Sequence, residues 1–136
     1  MNEMKVSFLS RSENEAFART AVAAFAATVD PTVEQLNEVK TAVSEAVTNA
    51  IVHGYGHTDG WVTVEATLTG RRLTLKITDA GCGIADVERA MEPLYTSRPE
   101  EERSGIGFTV MQTFTDRLEV ESAVGKGTVV TMEKQL

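Results

Sequence analysis

An α/β (α+β) two-layer sandwich, with helices on one face of a mostly antiparallel sheet, is the fold class the sequence predicts. Three observations carry it. Residues 61–68 and 73–78 alternate apolar and polar side chains around a Thr69-Gly70-Arg71 turn, the pattern of a hairpin with one buried face. Residues 32–53 place Leu36, Val39, Val43, Val47 and Ala50 at helical spacing, so one side of a long helix packs into a core. The element order reads β-α-α-β-β-α-(loop)-α-β-β, which suits a sheet covered by helices on one side.

Taken in order, Lys5–Leu9 alternates and is a short first strand with Val6 and Phe8 on one side. Ser12-Glu13-Asn14-Glu15 has capping-box chemistry and starts an alanine-rich helix running to about Val29. Asp30-Pro31-Thr32 breaks it. Pro31 suits the first turn of the next helix, and Thr32 with Gln35 suits a second capping box. That central helix ends at Gly54-Tyr55-Gly56, where glycine can close the turn in the left-handed conformation.

In the following hairpin, Val62, Val64, Ala66 and Leu68 share one face, and Leu73, Leu75 and Ile77 share the matching face of the second strand. Asp79 continues that second series, so its carboxylate points toward the core and needs a partner. A glycine turn, Ala80-Gly81-Cys82-Gly83, precedes a short helix over about 84–91. Residues 92–104 contain two prolines and weak periodicity and read as a long loop, a functional lid or a disordered segment. Gly105-Ile106-Gly107 opens a helix to about Thr115, with Phe108, Met111 and Phe114 as apolar anchors. Strands over 118–122 and 128–133 flank a Val124-Gly125-Lys126-Gly127 turn.

The chain has 136 residues, which suits a single domain spanning 1–136. Its 42% hydrophobic content is that of a globular protein. A net charge of -7 with no basic stripe argues against a nucleic-acid partner. No apolar stretch approaches a membrane span and no signal peptide is visible near Met1, so no membrane association and a cytoplasmic location are expected. The single cysteine, Cys82, rules out an internal disulfide or a multi-cysteine metal site.

Three constellations could carry chemistry. Glu45, Asn49 and His53 are four residues apart, so in an α-helix they form a line drifting about 40° per step. That line is either a solvated face or a row supplying a general base, an oxygen ligand for a hard cation and a hydrogen-bonding group. Asp79 beside Gly81 and Gly83 either caps the following turn or accepts a hydrogen bond from an exocyclic amine while the backbone closes on a flat ring. Gly105 and Gly107 are either a plain turn or a helix start whose free N–H groups bind phosphate. Other readings fail: a P-loop needs a glycine where Val120 stands, a dinucleotide fingerprint needs one where Val110 stands, and no nucleophile elbow or zinc spacing occurs.

Glu45-x-x-x-Asn49-x-x-x-His53, Asp79-x-Gly81-x-Gly83, a long loop, Gly105-x-Gly107 and Gly127-Thr128 occur in that order. This set resembles the nucleotide-binding motifs of the GHKL ATPases, which have the Bergerat ATP-binding fold. Arg11–Glu15, Val43–Tyr55 and Glu102–Thr109 more closely resemble the sporulation anti-sigma F factor family, and that resemblance covers nearly the whole chain. It implies a protein-serine kinase that uses ATP with Mg²⁺, leaves ADP, holds a sporulation sigma factor inactive and phosphorylates a serine on an anti-anti-sigma protein.

The resemblance also implies residue roles. Glu45 would be the base that orients the attacking hydroxyl, and Asn49 would coordinate Mg²⁺. His53 and Gly54 would belong to the ATP site. Asp79 would read the adenine amino group, supported by Thr128, with Gly81 and Gly83 letting the backbone approach the ring. Residues 91–104 would form an ATP lid containing Thr96, Ser97 and Ser104. Gly105, Ile106, Gly107 and Phe108 would present amides to the phosphates, and Arg103, just before them, is the best-placed cation for the γ-phosphate. The alternative function is an ATP-gated anti-sigma binding module without significant transfer activity. Arg19, among alanines of the first helix, is either a docking residue for partners or an ordinary solvated arginine. The family implies a homodimer, for which the strand edge Val6–Leu9 is a candidate surface.

Overall fold

Alternation along five segments becomes one antiparallel sheet in the computed structural model, which describes residues 1–56, 58–92 and 107–136. The strands are β1 (Asn2–Leu9), β2 (Trp61–Thr69), β3 (Arg72–Asp79), β4 (Arg117–Ala123) and β5 (Gly127–Gln135), in the spatial order β1-β2-β3-β5-β4. The helices are α1 (Asn14–Ala26), α2 (Val33–Thr48), α3 (Val87–Ala90) and α4 (Gly107–Phe114). Helix α2 packs against both α1 and α4, and the three cover one face of the sheet. The two-layer expectation therefore holds, with every strand pair antiparallel.

The register aligns inward side chains into rungs that cross the whole sheet. Val6, Val64, Ile77, Val130 and Val120 make one rung, and Met4, Ala66, Leu75, Met132 and Leu118 the next. Their helical counterparts are Ala18, Val22 and Ala26 of α1 and Val39, Ala42, Val43, Ala46 and Val47 of α2, all buried. Small alanines at these positions let the helices sit close to the branched strand side chains. At one end of the sheet Lys134 turns inward, and its ammonium donates to the Phe114 carbonyl at 2.8 Å and pairs with Glu38 at 3.3 Å. Among the described residues no buried side-chain nitrogen or oxygen lacks a partner. No helix among them is long and apolar enough to cross a membrane.

Several local expectations are corrected. The Ser12–Glu15 capping box does not form: α1 begins at Asn14 after Glu13, without a side-chain cap. The Asn14 carboxamide instead donates to the Leu9 carbonyl at 2.8 Å, tying the helix to the end of β1. Helix α1 stops at Ala26, and a 3₁₀ turn over Ala27–Val29 leads to Asp30 in the left-handed region at φ 55°. Arg71 steadies this corner by donating to the Val29 and Asp30 carbonyls. Pro31 lies just outside α2, because Thr32 is its N-cap. The Thr32–Gln35 capping box forms in full. The central helix is α-helical only to Thr48, and Asn49–Gly54 is a π-helical segment. The helix expected over 84–91 shrinks to Val87–Ala90, capped by Asp86.

Thr32→Ala removes the side-chain acceptor of the α2 cap and should destabilise the fold by about 1 kcal/mol. Chemical denaturation should show a lower midpoint with an unchanged slope. An unchanged midpoint would mean that this cap does not support the helix.

Candidate functional site

The rung at the other end of the sheet is where the apolar pattern stops. Phe8, Val62, Asp79, Thr128 and Ser122 lie side by side on five adjacent strands, all on the helix-covered face. Three of the five are polar, and they are neighbours. Asp79 is only 5% exposed and Thr128 only 3%. Asp79 Oδ1 accepts the Gly81 N–H at 2.9 Å. Burial pushes the Asp79 carboxyl above the ordinary aspartate range, while the backbone N–H groups of Gly81 and Thr128 pull it partly back. Ser122 donates to the Gly127 carbonyl at 2.9 Å and accepts the Ile84 N–H at 2.7 Å. With its one proton engaged there, Ser122 accepts from Thr128 at 2.8 Å. The Thr128 oxygen therefore keeps its lone pairs for another donor.

The second half of the site comes from the end of the central helix. The Tyr55 N–H bonds the Ala50 carbonyl at 3.0 Å, an i→i+5 closure. Glu45 and Asn49 keep their one-turn spacing, because the helix is regular up to that point, but His53 lies beyond the change of pitch. Gly54 then meets the Asp79 loop. A Cβ on Gly54 would lie 2.9 Å from Asp79 Oδ1, and one on Gly81 would lie 2.1 Å from the Gly54 oxygen. Gly81 is thus required by the protein's own backbone. Gly83 likewise sits against the Ala123 carbonyl, at φ +76°.

Between these halves is a cavity of about 420 Å³. Glu45, Thr48, Asn49, His53 and Gly54 form one wall. Cys82, Gly83, Ile84, Ala85, Asp86, Arg89 and Ala90 form the opposite side, with Gly107, Phe108 and Thr128 completing it. Asp79 and Gly81 stand behind Gly54 and Thr128 rather than on the lining itself. Glu45, Asn49 and His53 are half-buried, so the row is a cavity wall and not a solvated face. Arg19 is not part of this lining and pairs with Glu15 at 3.8 Å along α1. Thr96, Ser97, Arg103, Ser104, Gly105 and Ile106 lie outside the described residues.

Sequence reasoning missed Thr48, Ser122, Asp86 and Arg89. Ser122 was accessible by the parity that found Asp79, since it follows Leu118 and Val120 on the inward face. Arg89 carried no comparable signal: one arginine in a short polar helix looks like any surface cation.

Chemically, the floor offers the Thr128 hydroxyl as an acceptor, with the Asp79 carboxylate just behind it, a pair suited to N–H groups of a flat heterocycle. The wall offers oxygen donors at Glu45 and Asn49, suited to a hard cation. The first residues of α4 line the cavity at the helix's positive end, which favours an anion such as phosphate.

A family model described as a histidine kinase-like ATPase domain matches residues 8–134. An anti-sigma F factor of Thermoanaerobacter sp. is 58% identical over 135 residues, spanning 99% of this chain and 94% of that protein. An anti-sigma F factor of Clostridium beijerinckii is 59% identical over 135 residues, spanning 98% and 94% respectively. A crystal structure of the RsbU and RsbW domains of a Mycobacterium tuberculosis protein has a TM-score of 0.72 to this chain. That likeness covers 100% of this chain and 33% of that one at 18% identity, and shows the fold alone.

The raised Asp79 pKa has a definite sign in stability. The folded state holds the proton more tightly than the unfolded chain, so this carboxyl's contribution is fully present below the unfolded value of 3.8. It is lost as pH rises through the higher folded value. Unfolding free energy of the ligand-free protein, measured against pH relative to Asp79→Asn, should therefore fall between these two values. The fixed offset of the substitution drops out of the slope. A difference that rises with pH would refute the burial effect.

Proposed function

The chain belongs to the histidine kinase-like ATPase family and, within it, to the anti-sigma F factors, and from that premise we propose that it is an ATP-dependent anti-sigma factor and protein-serine kinase. It binds and inhibits a sporulation sigma factor and transfers the γ-phosphoryl group of ATP to a serine of an anti-anti-sigma protein. One observation carries the reading: Glu45 and Asn49 stand one turn apart on the same wall of a cavity lined also by Thr128, with Asp79 paired beside Thr128 just behind the lining.

Asp79 and Thr128 orient the adenine through its amino edge. The helix start at Gly107 and Phe108 receives the phosphates, and the residues before it, Arg103 to Ile106, act with Thr96, Ser97 and the rest of the lid. The Asn49 carboxamide oxygen fits a hard cation, since Mg²⁺ takes few protein ligands and keeps phosphate oxygens and water. When bound, the ion neutralises phosphate charge. The serine oxygen attacks the γ-phosphorus while its proton passes to the Glu45 carboxylate. The bond from the γ-phosphorus to the β–γ bridging oxygen breaks, and ADP leaves. Positioning and charge compensation supply most of the acceleration in such a transfer.

The outer edge of β1 has no partner strand among the described residues, and Val6–Leu9 on it joins a second copy in a homodimer. The Arg19 side chain, 42% exposed beside Glu15, docks both the sigma factor and the anti-anti-sigma protein.

With γ-labelled ATP, Mg²⁺ and an anti-anti-sigma protein, the wild-type chain should label the partner's serine. Glu45→Gln should lower that rate about 100-fold or more while still binding ATP. Asp79→Asn should instead weaken ATP binding itself. Release of the sigma factor by the anti-anti-sigma protein without any phosphoserine would leave an ATP-gated binding module instead. Arg19→Ala should weaken capture of both partners about tenfold in titrations. Unchanged affinity for both would make it a solvated arginine, and a monomer mass by light scattering would remove the β1 interface.

A further inference from the structure

Tyr55, at the junction of the two halves of the site, has every polar group engaged. Its N–H closes the π-helical segment on the Ala50 carbonyl at 3.0 Å. Its carbonyl accepts the Thr58 N–H at 3.1 Å and the Thr58 hydroxyl at 2.6 Å. Its phenol donates to the Trp61 carbonyl at 2.6 Å, at the start of β2. The same phenol oxygen accepts the Ala80 N–H at 2.7 Å, one residue beyond Asp79. The ring lies directly against Gly60, where a Cβ would come within 2.2 Å of it. One side chain therefore fastens the end of the central helix, the first residue of β2 and the loop that follows β3.

The place of these bonds matters more than their number. Ala80 is exposed, so its N–H could be satisfied by water, yet it is held by a phenol. The next amide, Gly81, donates to Asp79 Oδ1 at 2.9 Å, and the one after, Cys82, donates to the Gly54 carbonyl at 2.8 Å. Gly54 and Tyr55 thus grip the loop on both sides of the amide that orients the Asp79 carboxylate. The amide held by the phenol and the amide that donates to Oδ1 belong to adjacent peptide units joined at the Ala80 Cα, so a displacement of the first carries the second with it.

We propose that Tyr55 is a positioning residue: its hydroxyl sets the angle of the Asp79 carboxylate and so determines discrimination for the exocyclic amine of the nucleotide base. This rests on the reading of Asp79 as the adenine acceptor. The ring packs and the hydroxyl positions, so Tyr55→Phe separates the two. A loss of packing would weaken every nucleotide alike, whereas a misaimed carboxylate weakens only those that offer it an N–H donor.

The experiment is a titration of ATP and of purine riboside 5′-triphosphate, which lacks the amine, against wild type, Tyr55→Phe, Asp79→Asn and the double variant. Wild type should prefer ATP. Tyr55→Phe should lose about five- to tenfold in ATP affinity, the scale of one neutral hydrogen bond, with little change for the analogue. In the Asp79→Asn background, titrated at nucleotide concentrations high enough to reach its weakened site, the same substitution should leave the ratio unchanged, because the carboxylate it acts through is gone. An equal loss for both nucleotides in Tyr55→Phe would overturn the positioning role while leaving the Asp79 reading intact. Absence of any preference in wild type would overturn that reading, and this proposal with it. Hydrogen exchange at the wild-type Ala80 amide tests the contact without a variant. Protection at this exposed residue supports the proposal, and free exchange refutes it.

Discussion

Burying the Asp79 carboxylate at the end of β3 imposes a demand that the surrounding backbone has to meet. An unpaired charge in an apolar layer costs several kcal/mol. The next two rungs of the sheet are wholly apolar, so the core itself supplies nothing to offset it. Compensation comes from main-chain N–H groups of Gly81 and Thr128, and it is incomplete, because the carboxyl is still pushed above its usual range. A group held this way is short of donors. A ligand that brings an N–H to it would add to that compensation.

Meeting that demand dictates how closely the chain must approach itself. Gly54 contacts the carboxylate, and Gly81 contacts Gly54, at separations that no Cβ could occupy. The π-helical closure delivers Gly54 to this point: widening the last turn of the central helix moves its end toward the sheet without disturbing the regular spacing of Glu45 and Asn49 upstream. The departure from α-helical pitch is local. It is placed between the oxygen donors of the wall and the acceptors of the floor, so both can be fixed to one rigid element.

Most of the fold was legible because burial on one face forces a period, and periods survive in sequence. Strand parity located Asp79 as inward-facing, and apolar spacing located the core side of α2. Gly83 and Thr128 fell into the site by motif order, and the structure brings them together with Glu45, Asn49, His53, Gly54 and Phe108 around one cavity. The π-helical ending left no mark, since one extra residue per closure changes no side-chain type. The Ser12–Glu15 signature misled because capping chemistry is local, while the start of α1 is set by a tertiary bond from Asn14 to the end of β1. Tyr55 was passed over as part of a terminating turn. Its function depends on the distance to Ala80, which lies 25 positions along the chain and is not encoded in either neighbourhood.

An acidic chain that binds a polyanion must place its positive potential where it counts. A net charge of -7 repels nucleic acid over the whole surface, with a range of about one Debye length. A free nucleotide can escape that penalty by entering a cavity, where the helix start at Gly107 acts at short range in a less polar medium. A strand of nucleic acid carries its phosphates as single backbone diesters and stays outside, facing the acidic surface. Concentrating attraction inside and repulsion outside is thus a physical basis for choosing a small nucleotide over the polymer. It requires no basic surface patch, which is why the charge pattern of the sequence reads as hostile to phosphate until the cavity is built.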